Sequence, residues 1–355
     1  MVYGKLYFRN FSLLMVILYL CGCTSISYYS QSISGQFEIM QKSKSINDLL
    51  ASDAITDKTR SRLKTVLELR KFSIQDLGLP DNSSYLAYSD LERDYVIWNI
   101  FATEEFSLQP KQWCYLIVGC LDYRGYFSEV AARKYKLMLE NQGYDVYLGG
   151  VAAYSTLGWF NDPVLNTMLR WDDIRLAKVM FHELAHQQLY INNDTEFNEA
   201  YADTVALIGV KKWLKKNFNQ SILDKFEASQ SKEDKFINLI MHYKSLLVAL
   251  YESNQNDTLK RNQKAKLIQQ MTKDYKMMSQ SWDSNDYKTW FAEGINNAKL
   301  AAIVTYRQYV PDFLAIYEKQ GNDLKAFNRL IKSLSKCKPM KRKEILKTHE
   351  IKFGC

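Results

Sequence analysis

His182-Glu183-Leu184-Ala185-His186 constrains this chain more than any other stretch. It lies in an apolar, helix-favouring run from Ile174 to Leu189. Residues four apart share one face of a helix, so His182 and His186 can reach a single metal ion. Glu183 is then about a quarter-turn away, near enough to act as a base without being a ligand. Two histidines leave a tetrahedral zinc site short of one protein ligand plus an open position. Glu199 follows after twelve intervening residues, inside Asn198-Glu199-Ala200-Tyr201-Ala202-Asp203. Phe197, Ala200, Tyr201, Thr204 and Ile208 recur at helical spacing, which predicts a second helix capped by Asp194 or Thr195. The polar stretch Ile191 to Asp194 reads as the turn that brings Glu199 back toward the histidines. Glu196, in the first turn, is more simply a favourable charge at a helix start. Asp203 is four residues beyond Glu199, placed to accept the second ring N–H of a zinc-bound histidine.

With these motifs in view, Asn-Glu-Ala-x-x-Asp after H-E-x-x-H resembles the glutamate-zincin peptidases, the thermolysin-like group, with a shorter linker than is usual for thermolysin. A closer resemblance is to the bacterial predicted aminopeptidase lipoproteins. It is carried by Phe181-His182-Glu183-Leu184-Ala185-His186-Gln187 and Phe197-Asn198-Glu199-Ala200-Tyr201-Ala202. Upstream it includes Tyr123-Arg124-Gly125-Tyr126-Phe127, then Ala153-Tyr154-Ser155-Thr156-Leu157-Gly158-Trp159-Phe160 and Asp162-Pro163. The likeness runs from the N-terminal lipid signal to about residue 215 and more loosely beyond. It implies zinc peptidase chemistry more firmly than an exopeptidase specificity. In zincins an edge strand beside the metal helix commonly pairs with the substrate backbone.

Residues 1–22 read as a signal peptide. Lys5 and Arg9 form a positive start, and Phe11 to Leu20 is an apolar run too short to span a bilayer. Leu20-Cys21-Gly22-Cys23 resembles a lipobox with Cys23 as the lipidated residue; an ordinary secretory signal or an uncleaved anchor is the alternative. Thr24 rather than aspartate follows Cys23, which for a Gram-negative source points to the outer membrane, facing the periplasm. Residues 23–41 read as a tether that could start a helix, and 42–355 as one zinc peptidase domain. Within it, a helical and β part extends to about residue 162, the metal-site helices occupy 163–217, and 218–355 is helical. The fold class expected is α+β: a small zincin-like sheet, an active-site helix and a mostly helical C-terminal half.

The expected strands are Trp113 to Leu121 and Asp145 to Tyr154, with a helix from Ser128 to Gln142 between them. Tyr85 to Phe101 is aromatic-rich and expected to pack on the core. Asp162-Pro163 reads as an N-cap followed by an N1 proline. An oxidising compartment suggests that Cys114, Cys120, Cys337 and Cys355 pair by proximity, the first pair requiring a turn near Gly119. The net charge of +8 comes largely from lysines interleaved with apolar positions at helical spacing. That pattern fits solvated helix faces, and no nucleic-acid-binding module is visible. The oligomeric state stays open.

The reaction these residues suit is peptide-bond hydrolysis, with zinc held by His182, His186 and Glu199 and with Glu183 as proton carrier. Tyr154 is the first candidate for a second oxyanion donor and His242 the next. Arg124 could bind a substrate carboxylate or an internal acid. Tyr201 faces away from the metal and belongs to the core. No Gly-x-Met-x-Asn segment is present to mark an aminopeptidase, and Asp162 is one acid that could grip a substrate amine. A non-catalytic lipoprotein that uses zinc to stabilise its fold or hold a partner, and a zinc endopeptidase or amidase of cell-wall peptides, are the other readings.

Overall fold

Two packed helices, Asp173–Gln188 and Thr195–Asn217, stand at the centre of the fold, and the strands form two small sheets and a hairpin around them. The computed structural model describes residues 27–115, 119–282 and 286–349. In chain order the elements are α1 (27–41), β1 (Ser43–Ser45), α2 (Ile46–Ala51), α3 (Asp57–Gln75), β2 (Ala87–Ser89) and β3 (Ile97–Thr103). Then come β4 (Trp113–Tyr115), β5 (Gly119–Leu121), β6 (Arg124–Tyr126), α4 (Glu129–Asn141), β7 (Asp145–Val151), β8 (Val164–Leu165) and α5 (Asn166–Leu169). The rest is helical: α6 (Asp173–Gln188), α7 (Thr195–Asn217), α8 (Gln220–Glu252), α9 (Asp257–Ser279), α10 (Lys288–Ala292), α11 (Asn297–Arg307), α12 (Val310–Lys319), α13 (Leu324–Leu334) and α14 (Pro339–Thr348). This is the α+β arrangement expected, with a mostly helical C-terminal half.

Helix α7 is the centre of the molecule. Nearly every residue from Thr195 to Val210 is buried, including the polar Asn198, Glu199, Asp203 and Thr204, each of which has a hydrogen-bond partner. It packs against α6, α8, α11 and α12. Gly209 makes the close approach to α6 possible. A Cβ there would stand 2.7 Å from Cδ2 of Phe181 and 2.8 Å from Cδ1 of Leu77. Tyr201 is fully buried against Phe313 and Phe327, and its hydroxyl donates to Asn328. It is the core residue its position implied.

The main sheet has the order β6-β3-β7, antiparallel throughout. Its middle strand, β3, falls in the aromatic-rich segment expected only to pack. Ile97 and every residue from Asn99 to Thr103 are buried, so the alternation that would mark a strand is missing. A second sheet, β1-β2-β8, joins the segment before α2 to the segment before α5. The stretch expected as one strand over 113–121 is instead the hairpin β4–β5, with Gly119 at φ +77° and a Cys114–Cys120 disulfide between facing residues. Cys337 is also disulfide-bonded; Cys355, its expected partner, lies outside the described residues, as do Cys23 and the signal segment.

Two local expectations change. Residues 27–41, read as a tether that could start a helix, are helical, and they are docked on the domain through buried Ile39 and Gly35 rather than free of it. Asp162 does not cap a helix. Val164 and Leu165 form β8 first, and the Asp162 carboxylate turns back to its own loop. It accepts from the backbone and hydroxyl of Thr156, from the Ser155 hydroxyl and from the Gln187 amide. Every acceptor position is taken, which leaves it no capacity to grip a substrate amine.

Candidate metal centre

Helix α6 begins where Asp172 accepts the Arg175 N–H at its N-cap. Leu176, Ala177, Met180, Phe181, Leu184 and Ala185 bury the face toward α7. That face fixes the rotation of the helix and so aims His182 and His186 at α7. The chain turns over 189–194 and re-enters as α7 with Asp194 at the N-cap position. The Asp194 side chain makes no capping bond. Its carboxylate instead receives the buried Arg342 guanidinium of α14 at 2.5 and 3.0 Å. A buried charge requires such a partner. Asn198 bonds both the N–H and the carbonyl of Ile191, which closes the turn and sets the start of the Glu199 helix.

The turn brings three expected ligands together. Nε2 of His182 lies 3.0 Å from Nε2 of His186 and 3.2 Å from Oε2 of Glu199. The His186 to Glu199 distance is 3.4 Å. Zinc–ligand bonds of about 2.0–2.1 Å place tetrahedral donors roughly 3.3 Å apart, so these separations are those of a metal triad. His182, His186 and Glu199 are the one group of metal-ligand side chains that converges in this way among the described residues. Nδ1 of His182 meets Oδ1 of Asp203 at 2.9 Å. Donation from Nδ1 leaves the lone pair on Nε2, the atom that faces the triad. Asp203 is held in turn by Arg307 of α11, 3.3 Å from Oδ2. Arg307 also reaches Glu233 at 3.4 Å on α8. Nδ1 of His186 is buried without a hydrogen-bond partner among the described residues.

The electrostatics follow from burial and pairing. Burial pushes Glu199 up, but the charge of His186 and the hydrogen bonds of both histidines outweigh it and bring the carboxyl to about 2. Asp203 is likewise opposed by burial yet ends well below its ordinary range, mainly through His182. Glu183 behaves differently. Burial raises its carboxyl above the usual range against the pull of His182 and His186. Among the described residues it makes no hydrogen bond and no ion pair, unlike Glu199 and Asp203 beside it.

Among the described residues, no hydrogen bond or ion pair joins the remaining candidates to the triad. His242 is exposed on α8 with its ring against Tyr243, and no hydrogen bond or ion pair joins it to the site among the described residues. An isolated histidine on a partly apolar helix carried no positional information. Arg124 stacks at 4.0 Å on Tyr28 and 4.7 Å on Tyr135, and donates to the Tyr135 hydroxyl. Its guanidinium is taken up by an aromatic cage rather than by a carboxylate. Tyr154 packs edge-on against Phe127 at 5.3 Å. Burial and Asp162 push its hydroxyl up to about 12, and no hydrogen bond links it to the triad among the described residues.

Three other tyrosines feel the charge of Glu199. Tyr123 and Tyr306 are both raised well above their ordinary value by burial, then by Glu199, with Glu183 contributing to each. Tyr190 sits edge-on to His186 at 6.5 Å and is raised to about 12 by burial and Glu199. Tyr190 is four residues past His186, a spacing that could have flagged it. Tyr123, in the turn before β6, and Tyr306 of α11 come into the field of Glu199 only through the packing of segments distant in the chain. Loop 154–162, tied to Gln187 through Asp162, carries the exposed rings of Trp159 and Phe160 next to the end of the metal helix.

No curated protein and no solved structure matches the chain. A family model described as "Putative aminopeptidase" matches residues 27–346, nearly the whole of it. The chain belongs to that family of peptidases.

Proposed function

We propose that this protein is a zinc-dependent peptidase, anchored to the membrane through lipid on Cys23 and acting on peptides on the periplasmic side. His182, His186 and Glu199 would hold the ion, which when bound would supply Lewis-acid polarisation and a water acidic enough to ionise near neutral pH. Asp203 keeps His182 in the ligating tautomer, and Arg307 keeps Asp203 in place. Glu183 takes a proton from the attacking water and delivers it to the leaving amine. Tyr306 and Tyr123, which feel the charge of Glu199 and Glu183, are further candidates besides Tyr154 to donate a hydroxyl to the developing oxyanion.

One observation carries this reading over a purely structural zinc site. Glu183 is half-buried beside the triad with its carboxyl raised above the usual range, yet it makes no hydrogen bond or ion pair among the described residues. A structural site has no need of an unpartnered base next to an open position. The test is a defined peptide mixture incubated with zinc-loaded protein, read by mass spectrometry, with Glu183→Gln in parallel. Removal of single N-terminal residues by the native protein alone is the expected result. Internal cuts would move the assignment to an endopeptidase. No cleavage by a fully metallated chain would sink the catalytic reading.

A further inference from the structure

Helix α1 has two apolar faces, and only one of them is used. The docked face is locked in place. The Phe127 ring occupies the space a side chain at Gly35 would fill. Gln31 accepts the Phe127 N–H at 2.8 Å, Ser89 donates to the Ile39 carbonyl at 2.9 Å, and Glu38 pairs with Arg93 at 2.8 Å. These bonds leave the helix no freedom to roll. The opposite face carries Tyr29, Ile33, Phe37 and Met40, which are 45, 69, 57 and 49 % exposed. At about 100° per residue the four lie within an arc of roughly 80°. Isolated exposed apolar residues need no explanation, but a continuous stripe does.

We infer that this stripe lies in the membrane interface, with α1 parallel to the lipid surface. The inference rests on the reading of Cys23 as the lipid attachment site. Ser27 is four positions on from Cys23, a span of at most about 14 Å when fully extended. Acyl chains on Cys23 would therefore hold the start of α1 against the headgroups. An apolar helix face sinks about 5–10 Å into that boundary. The stripe itself has no charged side chain. The one acid on α1, Glu38, points to the docked side and pairs with Arg93 and Lys42, so nothing there repels an anionic surface. A second copy of the chain fits less well. Four side chains of this size expose on the order of 450 Å², about half of the roughly 800 Å² per partner that a stable interface buries. No helix among the described residues is long and apolar enough to cross a membrane, so α1 lies on the surface rather than through it. The consequence is orientation: the domain would meet the bilayer by one fixed face rather than hang from a loose tether.

The experiment uses the full chain, produced in Gram-negative cells and reconstituted into vesicles of phosphatidylethanolamine and phosphatidylglycerol. An environment-sensitive fluorophore is placed at Phe37→Cys and, in a second protein, at Met340→Cys on α14, which is 85 % exposed. Bound zinc stoichiometry reports that each labelled protein is folded, and the mass of the N-terminal peptide reports acylation. Quenching of the Phe37 label by lipids with brominated chains, with none at Met340, is the expected result. An acylated, vesicle-bound chain whose Phe37 label stays unquenched would overturn the interfacial stripe and leave the lipid anchor standing. A chain with no acyl group on Cys23 would overturn the anchor reading itself. If its Phe37 label were shielded only in a dimer seen by light scattering, the stripe would belong to a second copy instead.

Discussion

Replacing Asp203 with asparagine changes one atom type and tests the logic of the whole centre. Asp203 stands between two donors, Nδ1 of His182 at 2.9 Å and the Arg307 guanidinium at 3.3 Å. A carboxylate satisfies both, and an amide can satisfy only one. If the amide oxygen faces His182, its NH₂ opposes Arg307, a buried cation left with Glu233 at 3.4 Å and the exposed Asp234 at 3.8 Å. If the oxygen faces Arg307, the NH₂ meets Nδ1 of His182 and moves the ring proton to Nε2, the ligating atom. Both arrangements weaken the site. Loss of such a partner typically costs 10–100-fold in metal affinity, or about 1.4–2.7 kcal/mol. Without metal, the disturbed Arg307 contact should lower stability by about 1–3 kcal/mol. Zinc affinity is measured by competition with a chelator of known strength, and stability by thermal melting in excess chelator. A variant that binds zinc within twofold of the native protein would refute the orienting role of Asp203. A loss of melting temperature with native zinc affinity would reduce Asp203 to a scaffold for Arg307.

Three further outcomes are expected. Tyr306→Phe should lower turnover by about 10²-fold if its hydroxyl meets the oxyanion, with zinc affinity unchanged; turnover within a few-fold of native would remove it from the reaction. Gly209→Ala puts a methyl 2.7 Å from the fully buried Phe181 ring. Overpacking costs about 1–3 kcal/mol and the better helix propensity of alanine returns about 1, so denaturant melts should show a net loss together with weaker zinc binding as α7 is displaced from α6. For Asp162, burial raises the carboxyl and outweighs the donors from Thr156, Ser155 and Gln187. A raised folded-state pKa means the native state holds the proton more tightly. Its stabilising contribution is therefore full below the ordinary value near 4 and is lost as pH rises through the raised one. Asp162→Asn should remove that decline from the melting temperature measured from about pH 4 upward, and an unchanged pH slope would contradict the assignment.

What could be read from the sequence depended on how local its cause was. The triad and Asp203 were legible because helical spacing and one short turn decide them, and both effects act within about twenty residues. Asp194 was not, because its carboxylate answers to Arg342, 148 residues away in the chain. Arg307 stayed hidden for the same reason: only the packing of α11 on α7 gives a buried Asp203 its second partner. Strand β3 failed on pattern, since burial on both faces erases the alternation that would announce it. Arg124 and His242 show the opposite error, in which a reactive residue type suggested chemistry that its surroundings do not support. Glu183 joins the two cases. Its position beside the ligands was written in the motif, but only the fold shows that nothing else engages it. A half-buried carboxylate whose pKa is raised beside ligand side chains, and which no structural partner engages, is the mark of a functional acid or base. That freedom beside the ligands, rather than the motif alone, is the strongest physical argument that this centre acts on a substrate.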